Sequence, residues 1–280
     1  MVEYIDFHNR SKVLQKLVRA VINLSTLLPD SLFCLFWNIA LSTINNSVRV
    51  KKIKSNIFLI KDKSHEIQIF HKKRFEYYLQ NIETRLNHLK KEYMFNQISF
   101  EENDVIIDCG ANIGEIFLSL KQLKNNNYLF KYYGFEPDQV IFELLENNTS
   151  NQIKEPLALA SYEGFRKLYL RSKTADSSFE EGTKENFIMV KTVTLDSIFL
   201  DYESIKLLKL EAEGYELDVL LGSKKILSKI KFISADLGYE LENNTRRSFE
   251  EVDNFLSKNN FSLISSTTRE TYLYKNNNFS

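Results

Sequence analysis

The stretch Asp104-Val-Ile-Ile-Asp-Cys-Gly-Ala-Asn-Ile-Gly-Glu-Ile-Phe-Leu-Ser-Leu120 decides the fold of this chain. Its first part is a short apolar run ending at Asp108, which predicts a buried β-strand. The apolar residues after Gly114 recur at helical spacing and predict an amphipathic α-helix. A glycine-bearing loop between a buried strand and a helix is typical of open α/β sheets, in which ligands bind beyond the carboxyl ends of the strands.

The same alternation of short apolar strands and amphipathic helices continues towards the C-terminus. The further β-rich segments are predicted at residues 132–136, 156–160, 207–211 and 232–237, in an insertion within 165–193, and in a terminal hairpin of 261–264 and 271–274. Strand–helix alternation requires right-handed crossovers, so most of these strands should be parallel. We therefore expect an α/β fold with a mostly parallel, seven-stranded sheet that ends in a C-terminal antiparallel hairpin.

Residues 1–95 are predicted to form an N-terminal helical and β-hairpin extension, and residues 96–280 the main domain. Two helices span residues 12–41, and the runs 56–60 and 66–70 predict the hairpin. The helices either pack on the main domain or on a second subunit, or they lie on a membrane surface as an amphipathic anchor. The basic residues that motivate the anchor are Lys12, Lys16 and Arg19.

The totals of the chain exclude several classes of protein. Its 280 residues carry a formal net charge of +0, so no general attraction to nucleic acid is expected. Cys34 and Cys109 are too few for a disulfide framework, and neither they nor the four histidines have metal-ligand spacing. A reduced, cytoplasmic location without a metal site is therefore expected, and an anchor would place the protein peripherally at the inner face of a membrane.

The loop at 108–114 reads Asp-x-Gly-x-x-x-Gly and departs from the dinucleotide fingerprint Gly-x-Gly-x-x-Gly. Its glycines allow a sharp turn, a close approach to a ligand and tight helix packing. A carboxylate at Asp108 suits a cationic ligand, such as the methionine ammonium group, and disfavours a pyrophosphate. The predicted cofactor is therefore S-adenosyl-L-methionine rather than NAD. The predicted cofactor-binding loop residues are Asp108, Gly110, Ala111, Asn112 and Gly114.

The next predicted strand ends in the sequence Gly134-Phe-Glu-Pro137. Glu136 lies 22 positions after Gly114, where an acidic residue accepts hydrogen bonds from a ribose diol. Pro137 stops the strand and fixes the turn. Taken alone, Glu136 is better explained as a surface glutamate at a strand end, but its spacing from the glycine loop favours cofactor binding by Glu136 and Pro137.

A third segment, Leu207-Leu-Lys-Leu-Glu-Ala-Glu-Gly-Tyr-Glu216, is a buried strand that ends in carboxylates. Strand alternation places Lys209 and Glu211 on one face. Their mutual charge would hold Glu211 ionised, or the pKa of Lys209 would be depressed. The alternative is a salt-bridged strand end that caps the next helix.

Together these segments resemble the FkbM-type methyltransferase family. The resemblance covers roughly residues 75–240, and the motifs that carry it are the loop at 108–114, Phe-Glu-Pro-Asp at 135–138, Thr-Leu-Asp at 194–196 and Lys-x-x-x-Glu-Gly-x-Glu-x-x-Val-Leu-x-Gly at 209–222. It implies a Rossmann-like methyltransferase fold and S-adenosylmethionine-dependent O-methylation of a sugar, polysaccharide or natural product.

The resemblance also implies where the acceptor binds, because the end of the 207–211 strand looks like the edge that faces it. Asp236, in Ser-Ala-Asp-Leu-Gly at 234–238, is a further cleft candidate. The unranked candidates for proton removal or acceptor binding are Lys209, Glu211, Glu213 and Asp236. The family often has aspartate where this chain has Glu211, so catalytic distances do not transfer from it.

Two other functions stay open at this point. A nicotinamide-dependent oxidoreductase would need the dinucleotide fingerprint that the chain lacks. A non-catalytic Rossmann-like binding protein is suggested by the substitution at Glu211. The expected partner is a small-molecule or glycan acceptor such as a glycolipid, and the sequence leaves a homo-oligomer open.

Overall fold

The computed structural model describes the chain over residues 12–123, 130–170, 177–178, 187–238 and 248–279. The chain divides into two compact units, residues 1–85 and residues 86–280. The division between 95 and 96 that the sequence suggested stays a prediction. The side chains of Lys12, Lys16 and Arg19 lie outside the described part.

The first unit combines helices with a small antiparallel sheet. Its elements are α1 (Lys12–Ser25), α2 (Asp30–Thr43), β1 (Arg49–Lys54), β2 (Ile57–Lys61), β3 (Glu66–Phe70) and a 3₁₀ helix (Lys72–Tyr78). The strand order is β1-β2-β3, so the predicted hairpin has a third strand. Strand β1 escaped prediction because Val50 is its only buried residue, and its many lysines suit an exposed sheet edge.

An aromatic cluster forms the core of the first unit. Phe33 packs against Phe58 and Phe75, with ring centroids 5.7 and 5.6 Å apart. Trp37 adds a further ring, 5.4 Å from that of Phe75. This cluster joins α2 to the sheet and to the 3₁₀ helix.

Asp30 is the first residue of α2. Its carboxylate makes ion pairs with Lys52 and Lys72, each at 3.0 Å. The hydrogen bond from Lys72 lowers the pKa of Asp30 below its usual value.

In the part of the chain that the structure describes, we find no helix with the length and apolar character needed to cross a bilayer.

The second unit alternates strands with helices, as the sequence predicted. Its helices are α3 (Ile82–Glu92, which contains the boundary between the units), α4 (Glu115–Lys121), α5 (Gln139–Asn148), α6 (Leu195–Phe199), α7 (Glu216–Leu221) and α8 (Phe249–Lys258). Its strands are β4 (Val105–Cys109), β5 (Lys131–Phe135), β6 (Leu157–Leu159), β7 (Gly164–Leu170), β8 (Ser177–Ser178), β9 (Phe187–Val193), β10 (Ile205–Leu210), β11 (Ile230–Asp236), β12 (Phe261–Ser266) and β13 (Thr271–Asn276).

The main sheet has the strand order β12-β13-β11-β10-β4-β5. Strands β11, β10, β4 and β5 are parallel, and the terminal hairpin of β12 and β13 is antiparallel. The predicted α/β class and terminal hairpin are confirmed. The predicted count of seven strands is wrong, because the strand predicted at 156–160 forms β6, which pairs with β9 in another sheet.

That second sheet has the order β6-β9-β7-β8 and corresponds to the predicted β-rich insertion. Strands β7 and β9 pair antiparallel along most of their length. Residues 171–176 and 179–186 of the insertion lie outside the described part.

The strands β4 and β10 are buried at every position, as expected for central strands of a parallel sheet. Since β4, β5, β10 and β11 run in the same direction, their carboxyl ends meet along one side of the sheet, which we call the carboxyl edge. Strand β13 runs the other way and begins at that edge, opposite Asp236.

Two residues of the quoted motifs hold the chain around α7. The carboxylate of Asp196 accepts the backbone N–H groups of Lys225 and Ile226, each at 3.0 Å. Gly222 ends α7 against the chain beyond β6, and a Cβ there would lie 2.1 Å from the carbonyl oxygen of Ala160. Because the backbone of Ala160 lies so close to Gly222, no side chain can be accommodated at position 222.

The substitution Gly222→Ala is expected to destabilise the protein by about 1–3 kcal/mol, because the new methyl group forces two backbone segments apart. Urea denaturation followed by circular dichroism measures the loss. Gly238→Ala is the matched control, since the nearest atom to its added Cβ lies at 3.4 Å. Equal midpoints for the two variants would contradict this account of Gly222.

Candidate functional site

The glycine loop lies at the carboxyl edge, between β4 and α4. Gly110 and Gly114 have φ angles of 70° and 89°, in the left-handed region that favours glycine. The N–H groups of Gly110 and Ala111 both donate to the carbonyl oxygen of Phe135, at 3.1 and 3.0 Å, and fasten the loop to β5. A Cβ at Gly110 would lie 2.3 Å from the carbonyl oxygen of Glu211. Glycine therefore lets the loop pack directly on the end of β10.

Glu136 follows β5 and joins the glycine loop to the next turn. It is buried, and its Oε2 accepts the backbone N–H of Asn112 at 3.1 Å. Its Oε1 accepts the backbone N–H of Asp138 at 3.0 Å, across the turn made by Pro137. A carboxylate offers about four acceptor positions, so these two bonds do not exhaust its capacity to accept hydrogen bonds from a ligand.

The ammonium group of Lys209 is buried among four oxygen atoms. It lies 3.2 Å from Oδ1 of Asp108 and 2.9 Å from Oε2 of Glu211. It also donates to the carbonyl oxygens of Cys109 and Gly110, at 3.1 and 2.9 Å. One cation thus joins β10 to β4 and to the first turn of the loop.

The charges of this cluster set its protonation states. Burial by itself would lower the pKa of Lys209, but the carboxylates of Asp108 and Glu211 outweigh it and raise that pKa above its usual value. Burial opposes ionisation of Glu211, yet the ammonium of Lys209 prevails and lowers the pKa of Glu211. Of the two alternatives that the sequence left open, the structure favours an ionised Glu211 beside a charged Lys209 over a depressed pKa of Lys209.

Asp108 lies in the interior of the sheet and has no exposed surface. Its Oδ2 accepts the hydroxyl of Tyr132 at 2.6 Å, and burial raises its pKa. Tyr132 reaches across because its neighbour Gly134 has no side chain; a Cβ there would lie 2.9 Å from Cε1 of the tyrosine ring. The contact of Asp108 with a cofactor that we expected from the sequence stays a prediction.

Glu211 is partly open to solvent, with a side chain 35% exposed. The same Oε2 that meets Lys209 also accepts the hydroxyl of Tyr93, at 2.8 Å. The ring of Tyr93 is buried, and its centroid lies 5.4 Å from the lysine ammonium. The sequence gave no signal for Tyr93 as a site residue, because its partner Glu211 lies 118 residues further along the chain.

Glu216 holds the turn between β10 and α7, a role that its position in the sequence did not indicate. Glu213 and Gly214 have φ angles of 52° and 92°. The carboxylate of the buried Glu216 accepts the N–H groups of Ala212 and Gly214, at 2.8 and 3.1 Å. Glu216 therefore shapes the turn, and Glu213 lies half-buried on it.

Asp236 ends β11 at the carboxyl edge and is buried. Its Oδ1 accepts the N–H of Gly238 at 3.3 Å. Arg269, in the turn between β12 and β13, forms an ion pair of 2.6 Å with Glu92 and also favours the ionised form of Glu211. The sequence gave no signal for Arg269.

The structure thus brings most of the predicted residues together at the carboxyl edge. Asp108 stands directly opposite Lys209 in the pairing of β4 with β10, and Gly110 and Glu211 join them. Glu136 reaches the same loop through Asn112. Glu213 and Asp236 lie on flanking turns. Among these residues, Glu211 combines partial exposure with an ionised carboxylate.

Comparison with known proteins supports a specific family. A family model described as the methyltransferase FkbM domain matches residues 108–263. The hexuronic acid methyltransferase AglP of Haloferax volcanii is 28% identical over 149 residues, which cover 49% of this chain. That match spans 57% of AglP, a little more than half of its length.

Solved structures show more distant similarity. The methyltransferase FkbM of Methylobacillus flagellatus KT is 16% identical with a TM-score of 0.46, over 72% of this chain and 52% of the other. The N-terminal domain of human METTL16, determined in complex with SAH, is 12% identical with a TM-score of 0.36, over 69% and 68%.

The substitution Lys209→Met is expected to destabilise the protein by about 3–5 kcal/mol, because it leaves the buried Asp108 without its cation. The loss should be larger at pH 8 than at pH 5. In the variant the folded-state pKa of Asp108 lies further above its unfolded value, so the folded protein binds more protons and loses stability as the pH rises. Chemical denaturation at both pH values measures the effect.

Lys206→Met is the matched control for this prediction. Lys206 lies near the start of the same strand and pairs with the partly exposed Asp104 at 3.5 Å. Asp104 keeps some contact with solvent, whereas Asp108 has none, so the carboxylate left behind is better hydrated and a smaller loss than in Lys209→Met is expected. A loss in Lys209→Met no larger than in Lys206→Met would remove the central place that we give to Lys209.

Proposed function

Because the chain belongs to the FkbM methyltransferase family, we propose that it transfers the methyl group of S-adenosyl-L-methionine to a hydroxyl group of a sugar, polysaccharide or glycolipid. The observation that carries this proposal is the ionised, partly exposed carboxylate of Glu211 beside the glycine loop. The name of the relative AglP, a hexuronic acid methyltransferase, supports a sugar as the acceptor.

The chemistry of the donor set suits this cofactor. The methionine part of S-adenosyl-L-methionine carries a sulfonium and an ammonium group against one carboxylate, so it is net positive. The described residues around the loop supply carboxylates in excess of cations. Asp108 and Glu211 pair with the ammonium of Lys209, whereas Glu136 follows β5 and Asp236 ends β11 at the same carboxyl edge. Such a site attracts a cation and repels a pyrophosphate, which argues against the nicotinamide alternative. Glu136 is the expected acceptor for the ribose hydroxyls.

The cofactor supplies an activated methyl group when bound, so the protein needs no nucleophile of its own. The remaining work of the protein is to align the acceptor oxygen with the S–CH₃ bond and to remove the hydroxyl proton. Alignment can contribute about 7–11 kcal/mol, and a general base roughly 10²–10⁴-fold. The glycine loop and Glu136 align the cofactor in this proposal, and the carboxylate edge receives the acceptor.

Glu211 is the residue that we propose for proton removal. Lys209 is unsuited, because its raised pKa keeps it protonated and its four oxygen partners occupy its protons. Asp236 is more deeply buried than Glu211, and Glu213 lies on the following turn, where its backbone has a left-handed conformation. The ionised state of Glu211 makes it ready to accept a proton.

Binding of S-adenosylhomocysteine tests the cofactor assignment. Glu136→Gln is expected to weaken this binding by roughly 10- to 100-fold, because hydrogen bonds to a charged group contribute about 1.5–3 kcal/mol. Titration calorimetry of the whole chain measures the affinity. Glu146→Gln, which changes a glutamate of α5 that pairs with Lys154, should leave it unchanged.

The contradicting outcomes are equally specific. Binding of NAD in the same calorimeter, with no heat from S-adenosylhomocysteine, would overturn the cofactor. Cofactor binding without labelled methyl transfer to any sugar, polysaccharide or glycolipid fraction would favour the non-catalytic alternative.

We also propose that the first unit rests on an anionic membrane surface through α2. Two apolar stripes run along this helix: one is buried in the aromatic core, and the other faces solvent. The exposed stripe consists of Leu32, Leu35, Phe36 and Ile39. Their spacing of three and four residues places them on one face. Exposed lysines of the neighbouring strand β1, including Lys51, supply the positive charge that anionic headgroups attract.

The double variant Leu35→Ser/Ile39→Ser is expected to reduce sedimentation with vesicles of phosphatidylserine and phosphatidylcholine by about tenfold or more, because two apolar anchors are lost. Leu263→Ser/Ile264→Ser, which changes exposed apolar residues of β12, is the control. Equal sedimentation of wild type and both variants, or none by the wild type, would show that α2 contacts no membrane of this kind.

A further inference from the structure

We propose that Tyr93, which precedes the family-matched region 108–263, is a positioning residue that fixes the carboxylate of Glu211 for proton removal. The inference rests on the proposed function, in which Glu211 is the base. It extends the working site beyond the region that the family model recognises, into the segment after α3.

The geometry makes Tyr93 and Lys209 joint donors to one oxygen atom. The hydroxyl of Tyr93 lies 2.8 Å from Oε2 of Glu211, and the ammonium of Lys209 lies 2.9 Å from the same atom. The lysine ammonium is also 5.4 Å from the centroid of the tyrosine ring, within the range of a cation–π contact. The three side chains therefore form a closed triangle.

Tyr93 is itself firmly held. Its backbone carbonyl oxygen accepts the hydroxyl of Ser234, on β11, at 2.9 Å. Its ring stacks on that of Phe95, with centroids 5.8 Å apart and planes 20° from parallel. Only 3% of the residue is exposed. Because both its backbone and its ring are held, Tyr93 loses little rotational freedom when its hydroxyl binds Glu211.

Tyr93 also keeps its proton. Burial and the carboxylates of Glu211 and Asp236 raise the pKa of its phenol well above the usual value. The phenol therefore stays protonated and donates to the ionised Glu211.

As a consequence, the two carboxylate oxygens of Glu211 have different surroundings. Oε2 accepts two hydrogen bonds, whereas Oε1 receives none from the described residues. The side chain is 35% exposed, so Oε1 is the oxygen to which an acceptor hydroxyl can deliver its proton. Holding Oε2 restricts the carboxylate to orientations that present Oε1.

The test compares Tyr93→Phe with a matched variant, Tyr274→Phe. Both remove a phenol hydroxyl that donates to a carboxylate and keep the ring; the bond of Tyr274 goes to Asp253 at 3.1 Å. The pKa of Glu211 is measured by NMR on protein labelled with ¹³C in the glutamate carboxyl groups. Glu211→Gln identifies the resonance.

Tyr93→Phe should raise the pKa of Glu211 by roughly one to two pH units, because a hydrogen bond to its ionised form is lost. Tyr274→Phe should leave it unchanged. The acidic limb of the methyl-transfer pH profile, where Glu211 takes up a proton, should move to higher pH by the same amount in Tyr93→Phe, with a lower kcat and an unchanged KM for the cofactor.

An unchanged pKa in Tyr93→Phe, or an equal shift in both variants, would overturn the inference. A shifted pKa without a shifted pH profile would overturn the role of Tyr93 in proton removal. The titration needs neither cofactor nor acceptor. Failure of S-adenosylhomocysteine to bind the wild type would therefore count against the proposed function, while a shifted pKa would still support the geometry.

Discussion

The ammonium of Lys209 is the interaction on which the site depends. It lies in the centre of a parallel sheet and neutralises Asp108 on one side and Glu211 on the other. Two carbonyl oxygens of the β4 end complete its coordination and hold the loop that begins at Gly110. Burying the ammonium without these partners would cost stability, and so would burying the carboxylates without the ammonium. Removing any one of these charged groups therefore destabilises the others.

The rest of the carboxyl edge is arranged around this unit by small residues. Gly134 makes room for Tyr132 beside Asp108, and Gly110 allows the loop to touch the end of β10. Ser234 stands beside Lys209 in the sheet and holds the backbone of Tyr93 instead of filling the space with a long side chain. The charge of Lys209, the hydrogen bonds and the small residues thus all hold the groups around Glu211 in place, which gives Glu211 one defined environment.

Local patterns in the sequence predicted much of this fold, because apolar runs such as those of β4 and β10 are buried on both faces. They failed where a partner distant in sequence decides the outcome. Strand β1 is rich in lysine and is a strand because it pairs with β2. Strand β6 belongs to the second sheet and not to the main sheet, because it pairs with β9. In the site, the motifs located the loop and the carboxylates. They could not settle the charge of Lys209, which depends on strand register, or reveal Tyr93, 118 residues from Glu211.

The position of Trp37 has a practical consequence for spectroscopy. It is the single tryptophan of the chain, and it belongs to the first unit, where its indole N–H donates to the hydroxyl of Ser25 at 3.0 Å. Intrinsic emission excited at the indole band therefore reports the surroundings of α1 and α2, whereas the methyltransferase domain emits through its tyrosines. A quencher dissolved in a lipid bilayer would dim this indole if the first unit settles on a membrane.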